Sequence, residues 1–216
     1  MLGECKIITK TEAKKLCKGL QQVKKKYYEG KLSLSIKHED VHMNIEQALT
    51  KEVGELGKKI HMGRSRNDLV ATDFRLYLRD CADLILAKIK DIRYAVALVA
   101  KANFDVIFPG YTHMQLAQPV SFGHHLLAWH EMFARDEQRI LQVKDSINVM
   151  PLGSAALSGS PYKIDRRLVA NKLGFKTISL NSMDAVSDRD FVCDFAYSCS
   201  MIMIHLSRIS EELIYW

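Results

Sequence analysis

Apolar residues recur every three or four positions along most of the chain, which is the period of an α-helix. Thr9 and Glu12 have the spacing of a capping box, and Gly30 is expected to end the helix that follows. The apolar stripe between them consists of Ala13, Leu16, Cys17, Leu20, Val23 and Tyr27. A second stripe predicts a helix from about residue 39 to residue 56, which a basic loop follows.

The longest helical pattern runs from Asp68 to about Asn103 and contains neither proline nor glycine. A helix of roughly 35 residues would be about 50 Å long, so it must pack lengthwise against other long helices. Further helices are predicted from Pro119 to about residue 147 and from about 165 to 173. A last one is predicted from about 188 to the apolar end at Ile214, Tyr215 and Trp216.

No alternating strand pattern competes with these helices, and the short apolar pieces near Ile107 and Ile178 are interpreted as connectors. The predicted fold is therefore an all-α bundle of long helices. We predict an N-terminal helical domain over residues 1–67 and a central long-helix domain over residues 68–216. Helices of this length often bury one face on another subunit, so an oligomer is expected.

Composition narrows the class of protein. The formal charge is +6, but the basic residues are not interleaved with aromatic ones, so no nucleic-acid partner is expected. The N-terminus lacks an apolar signal region, and the longest apolar run, residues 94–100, is too short to span a bilayer. The five cysteines have no CxxC spacing. We expect buried free thiols in a cytoplasmic protein without a membrane partner.

Two segments carry candidate chemistry. In KKIHMGRSRNDLVATDF, residues 58–74, Arg64, Arg66 and Asn67 precede a predicted helix start. Guanidinium groups at such a place favour carboxylate or phosphate ligands, although solvated arginines beside a capped helix would look the same. In FPGYTHMQLAQPV, residues 108–120, Thr112 and His113 follow a Pro-Gly turn. A histidine there can act as a general acid or base.

The segment His38-Glu39-Asp40-Val41-His42 matches H-E-x-x-H, the zinc pattern of metalloproteases. The extended form of that pattern needs a further glycine and histidine, and the sequence has Ile45 and Ala48 there. The polar first turn of a helix is the simpler interpretation, so no metal is expected.

Several longer motifs occur together. They are EDVHMNIE (39–46), RSRND (64–68), PGYTHMQLAQPV (109–120), MPLGSAALSGSPYKIDR (150–166) and LNSMDAVSDRDF (180–191). In this order and spacing the chain resembles the argininosuccinate lyases of the fumarase/aspartase superfamily over nearly its whole length. The resemblance implies a reversible β-elimination that converts argininosuccinate into arginine and fumarate, the last step of arginine biosynthesis. It implies no metal or organic cofactor.

The resemblance also implies roles for particular residues. His113 would be the catalytic histidine that transfers a proton, and Thr112 and Asn67 would bind substrate. Arg66 and Ser65 of the same loop would lie close by, and His42 would match a histidine near the site. The family also implies a homotetramer in which segments of three subunits form each active site and long helices form a shared central bundle.

The chain departs from the family pattern in ways that affect the expected activity. Family members usually begin with a further N-terminal segment and also carry a mobile serine-rich loop, G-S-S-x-M-P-x-K-x-N. This sequence contains neither segment. We therefore expect a lyase shortened at both ends, with little activity of this chain alone. Two alternatives stay open: a non-catalytic bundle comparable to the lens crystallins of this fold, and a sister lyase such as adenylosuccinate lyase.

Overall fold

The computed structural model describes residues 1–215, and Trp216, predicted to end the last helix, lies outside them. The helices are α1 Lys10–Tyr28, α2 Val41–Val53, a 3₁₀ helix Gly54–His61, α3 Arg66–Ala102, α4 Phe122–Ile147, α5 Arg166–Leu173, α6 Ser182–Ser187 and α7 Asp190–Tyr215. The strands are β1 Ile107–Thr112, β2 Gln115–Ser121, β3 Val149–Met150 and β4 Thr177–Ile178. Helices dominate, and the predicted all-α class is confirmed.

The chain forms two compact units. The first unit contains Met1–Thr72 and Met150–Ser187, and the second contains Asp73–Val149 and the residues from Asp188 onward. The division predicted between residues 67 and 68 stays a prediction. The compact units divide the chain elsewhere, with residues 150–187 in the first unit.

The first unit is built on α1 and α2. Thr9 and Glu12 form the predicted capping box, with the Glu12 backbone N–H donating to Thr9 Oγ1 at 3.2 Å. Gly54, whose φ is +72°, ends α2, so this helix is shorter than predicted. Where α1 crosses α2, a Cβ on Gly19 would lie 2.6 Å from Val53 Cγ1, so the close packing requires glycine. The buried core residues are Ile8, Leu16, Val23, Leu49 and Val53.

The second unit is a layer of three long helices. Along α3, Leu78, Ala82 and Ala100 each belong to a different apolar cluster. From the cluster of Leu78 to the cluster of Ala100, the residue numbers of the α4 members decrease, from Ile147 to Leu126. Over the same three clusters the residue numbers of the α7 members increase. Helix α4 is therefore antiparallel to α3, whereas α7 is parallel to it. This arrangement confirms the predicted lengthwise packing of a long helix.

A β-hairpin stands where the sequence analysis placed a connector and a helix start. Strands β1 and β2 pair antiparallel, and α4 begins only at Phe122, with Ser121 as its N-cap. The prediction that Pro119 opens this helix was therefore wrong. Pro119 lies in β2 opposite Pro109 of β1. The chain reverses at His113-Met114 rather than at the Asn-Gly or Asp-Gly pair that marks most such turns.

Polar groups also lie inside the second unit. Asp136 is fully buried, and its Oδ2 lies 2.7 Å from Nδ1 of the buried His205. Arg139 Nη1 donates to the other carboxylate oxygen at 2.9 Å. The side chain of Arg75 donates to the carbonyls of Ser146 and Ile147 at 2.8 and 3.2 Å. These contacts join α3, α4 and α7 at defined positions.

Two expectations about composition can be checked against this fold. All five cysteines are free, but Cys17 and Cys193 are exposed and the other three are only half-buried, so the prediction of buried thiols was wrong. None of the helices within residues 1–215 combines the length and hydropathy needed to span a bilayer.

We predict that His205→Ala lowers the free energy of unfolding by about 3 kcal/mol, because it leaves the buried Asp136 carboxylate without its closest partner. Lys25→Ala is the control. Lys25 pairs with Glu29 at 3.7 Å while 76% exposed, so its loss should change stability by less than about 0.5 kcal/mol. Urea unfolding followed by circular dichroism measures both. A loss below about 1 kcal/mol for His205→Ala would show that the pair contributes little.

Candidate active site

The buried carboxylate of Asp68 organises the basic loop of the first unit. Its Oδ1 accepts the backbone N–H of Ser65 at 2.9 Å, and its Oδ2 accepts those of Gly153 and Ala155, both at 2.8 Å. Asp68 has no exposed surface. A buried carboxylate is costly unless donors surround it, and charge-assisted hydrogen bonds are the stronger kind. These three bonds therefore fix the RSRND loop against the segment after Met150.

That second segment has an unusual backbone. Gly153 has φ +94° and Ala155 has φ +54°, so the residues on both sides of Ser154 are left-handed. A Cβ on Gly153 would lie 2.8 Å from both Arg166 Cγ and Ile164 Cδ1, so both space and conformation require glycine. Two left-handed residues in one tight turn let both amide groups donate to Asp68.

Arg166, at the start of α5, holds the same segment from the other side. Its guanidinium donates to the carbonyl oxygens of Leu152 at 3.0 Å and Ser179 at 2.9 Å, and to Ser179 Oγ at 2.7 Å. Burial lowers the pKa of Arg166, and the negative charge of Asp68 opposes that shift. No local sequence pattern predicts that Asp68 or Arg166 supports this loop. Their only signal is that each lies inside one of the quoted motifs.

Three predicted substrate residues, Ser65, Arg66 and Asn67, lie in this loop. Arg66 Nε is 2.9 Å from Asp40 Oδ2, and Arg66 Nη1 is buried without a hydrogen-bond partner among the described residues. Asn67 is exposed, and its Nδ2 donates to the carbonyl of Ala156 at 3.1 Å. The side chains are thus held at defined positions while Asn67 faces solvent.

His42 is the fourth predicted site residue of the first unit, and the ion pair between Arg66 and Asp40 places it near the loop. Asp40 is the N-cap of α2, and the half-buried His42 lies two residues later in its first turn. His38 precedes the helix, so the H-E-x-x-H segment does not place its two histidines on one helical face. Among residues 1–215 no group of three or more His, Cys, Asp or Glu could hold a metal ion.

Arg64 adds positive charge to this loop. Burial lowers the pKa of its guanidinium, and nearby Arg66 lowers it further, whereas Glu46 and Asp68 raise it. It borders a pocket of about 310 Å³ whose lining is Lys58, His61, Met62, Gly63, Arg64, Ala155, Ser160, Pro161 and Tyr162. Cationic and hydroxyl groups around a small pocket suit an anionic organic group such as a carboxylate.

The second unit carries Thr112 and His113 at the tip of its hairpin. Thr112 pairs with Gln115, so His113 and Met114 are the two residues of the turn. Their φ values are +52° and +59°, as a type I′ turn requires. Both side chains are exposed. An exposed imidazole on a narrow turn can exchange protons with a bound molecule.

The six predicted site residues therefore form two groups. Ser65, Arg66, Asn67 and His42 lie on two connected segments of the first unit. Thr112 and His113 are adjacent in the second unit. The first group can bind anionic groups, and the second can transfer a proton.

Known proteins resemble this chain over its full length. The sequence model of a family described as Lyase matches residues 2–216. The argininosuccinate lyase of Ruthia magnifica subsp. Calyptogena magnifica is 51% identical over 216 residues, which is 100% of this chain and 45% of that protein. The argininosuccinate lyase of Synechococcus sp. (strain JA-3-3Ab) is also 51% identical, over 44% of its length. The chain spans less than half the length of these curated relatives.

Solved lyase structures also resemble this chain in fold. An EDDS lyase in complex with formate superposes with a TM-score of 0.92 at 32% identity, covering 100% of this chain and 42% of that one. A fumarate lyase:delta crystallin from Brucella melitensis bound to cobalt superposes with a TM-score of 0.84 at 17% identity, over 98% of this chain and 51% of that one. The second likeness concerns the fold alone.

We predict that Asp68→Asn lowers the free energy of unfolding by about 2–3 kcal/mol, because an amide replaces one acceptor oxygen with a donor that faces backbone N–H groups. Asp80→Asn, at an exposed position of α3, is the matched control and should change stability by less than about 0.5 kcal/mol. Chemical unfolding measures both. Equal stability of the two variants would contradict the role given to the buried carboxylate.

Proposed function

The chain belongs to the lyase family, and from this premise we propose that it functions as an argininosuccinate lyase, splitting argininosuccinate into arginine and fumarate. The observation that carries the proposal is the 51% identity to proteins of that name across all 216 residues. A cytoplasmic location is part of the proposal, since five unpaired thiols suit a reducing compartment.

The reaction requires two kinds of group. A weakly acidic proton must leave the carbon next to a carboxylate, and negative charge then accumulates on that carboxylate. The C–N bond then breaks, and the departing nitrogen of arginine takes up a proton while fumarate forms. Positive and hydrogen-bonding groups stabilise the charged intermediate, and a general acid or base moves each proton. No step requires a metal ion.

The residues of the first unit suit the first task. Arg66 and Arg64 supply positive charge, and each has a buried guanidinium N–H without a hydrogen-bond partner among the described residues. Ser65 and Asn67 add polar groups in the same loop, and His42 lies on the segment that Arg66 contacts through Asp40. In this proposal these residues bind the carboxylate groups of the substrate.

Thr112 and His113 suit the second task. His113 is exposed at the tip of a narrow turn, and Thr112 offers a hydroxyl group immediately before it. We assign proton transfer to His113 and substrate binding to Thr112. The assignment rests on the exposed position of this imidazole and on the family motif in which it occurs.

Fumarate release tests the proposal directly. This chain can replace the 51%-identical segment of the Ruthia magnifica lyase, which restores the segments that this sequence does not contain. We expect the chimera to release fumarate from argininosuccinate, and His113→Asn to lower kcat by about 10²- to 10⁴-fold. His124→Asn, at an exposed histidine of α4, should retain turnover. Asn67→Ala should mainly raise KM.

The outcomes separate the alternatives. Near-normal turnover of His113→Asn would overturn its assignment. A chimera that cleaves adenylosuccinate or EDDS in preference to argininosuccinate would indicate a sister lyase. A folded chimera that releases no fumarate from any of the three would favour a non-catalytic bundle, comparable to the crystallins that share this fold.

We also propose a homo-oligomer, specifically the homotetramer that the family resemblance implies. The second unit has an apolar groove between α3 and α7 of about 390 Å³, lined by Leu84, Ile85, Lys88, Ile89, Ile92, Phe133, Cys199, Ile202, Met203 and Leu206. On its rim, Leu84 is 68% exposed and Met203 is 63% exposed. Exposed apolar surface of this kind is typical of a protein interface, and we propose that a second copy covers it.

We predict that the double variant Leu84→Glu, Met203→Glu dissociates this oligomer, because burying two carboxylates in an apolar interface costs several kcal/mol. Ile36→Glu, at a fully exposed loop position of the first unit, should leave assembly unchanged. Sedimentation velocity measures the mass, and circular dichroism checks that helicity is retained. An unchanged oligomer in the double variant would move the interface elsewhere.

A further inference from the structure

The last turn of α7 contacts the tip of the hairpin that carries His113. The rings of Tyr215 and Tyr111 meet edge to face, with centroids 5.1 Å apart and planes at 87°. The Tyr215 hydroxyl donates to the carbonyl oxygen of Met114 at 3.4 Å. Met114 is the second residue of the turn, so this contact falls on the Met114–Gln115 peptide, one residue beyond His113.

The same turn of α7 is linked through α4 to the base of the hairpin. Glu212 precedes Tyr215 by three positions, so both side chains lie on one face of the helix. Glu212 Oε2 accepts the Trp129 Nε1–H at 2.5 Å and lies 3.2 Å from His125 Nε2. The His125 ring in turn contacts Phe108 of β1, with centroids 5.5 Å apart.

The backbone of the hairpin explains why its tip needs support. The ladder is irregular at Gly110, where a Cβ would lie 2.4 Å from the carbonyl oxygen of Gln118. Beyond this irregularity two residue pairs, Tyr111 with Leu116 and Thr112 with Gln115, precede the turn. The turn itself places His113 and Met114 in the left-handed region, which is unfavourable for residues other than glycine. Such a conformation persists only where surrounding contacts hold it.

We propose that Tyr215 is a positioning residue for His113 and that Glu212 supports the base of the same hairpin. The ring of Tyr215 packs on Tyr111, before the turn, and its hydroxyl binds the carbonyl of Met114, after His113, so the two contacts hold the backbone on both sides of His113. In this proposal Tyr215 acts on the backbone of the turn and moves no proton. The proposal rests on the proton-transfer role proposed for His113, because orientation matters only if this histidine acts on a substrate.

Amide hydrogen exchange in the 216-residue chain, resolved by NMR, tests the proposal without any need for turnover. Tyr215→Leu removes the edge-to-face pair and the hydroxyl, and should speed exchange of the Met114, Gln115 and Leu116 amides up to about tenfold. Tyr215→Phe keeps the ring pair and should change exchange by less than about threefold. Tyr197→Leu, at an exposed tyrosine of the same helix, is the matched control and should leave the hairpin unchanged.

Each outcome decides the matter. Faster exchange confined to residues 111–116 in Tyr215→Leu supports the proposal, and an equal effect in Tyr215→Phe would assign it to the hydroxyl contact with Met114. Unchanged exchange, or a uniform increase across α4 and α7, would overturn it, since the first means no support and the second a general loss of stability. Because the readout is local structure, a failed fumarate assay would remove the role of His113 without altering the exchange result.

Discussion

The length of α3 is the constraint on which the architecture of the second unit depends. A helix of 37 residues is about 55 Å long, and its apolar stripe must be covered along most of that length. Antiparallel α4 and parallel α7, each of 26 residues, meet this demand through three successive apolar clusters. The hairpin is the connection between α3 and α4, so its location at one end of the helical layer follows from the same packing.

The two parts of the candidate site are held in place by different physical means. In the first unit, Asp68 and Arg166 bind backbone groups, so the loop is fixed by charge-assisted hydrogen bonds to buried side chains. In the second unit, a strained two-residue turn is held by a short strand ladder and by aromatic contacts. The first arrangement gives the rigid polar groups that the proposed binding requires, whereas the second leaves exposed the imidazole that we propose for proton transfer.

Features of this fold that depend on spacing within one segment are visible in the sequence, whereas others are not. The capping box at Thr9 and the helical run after Asp68 were predicted correctly, because both depend on spacing within one segment. The hairpin was missed because its turn is His-Met rather than a glycine-containing pair, and because its strands do not alternate cleanly between buried and exposed residues. Helix α6 was also missed, because its six residues form fewer than two helical turns and cannot show a repeated apolar spacing.

Motifs predict six residues of the candidate site, and their roles stay predictions: His42, Ser65, Arg66, Asn67, Thr112 and His113. Nothing in the local sequence indicated that Asp68 binds three amides contributed by segments up to 87 residues away. Such a role depends on tertiary contacts that no local spacing encodes. The positive φ of Ala155 is equally invisible, because alanine gives no signal for a left-handed turn.

Two histidines of the second unit show why burial, rather than residue type, separates structural from chemical roles. His205 is 5% exposed, and its Nδ1 lies against the fully buried carboxylate of Asp136, so its ring is enclosed by the helical layer. His113 is exposed at the end of a narrow turn, where a substrate can approach its ring. A general acid or base must reach the reacting atom, so the exposed His113, and not the buried His205, carries the proposed proton transfer. The same distinction applies to the carboxylates, because Asp68 is enclosed by backbone donors and therefore supports the loop.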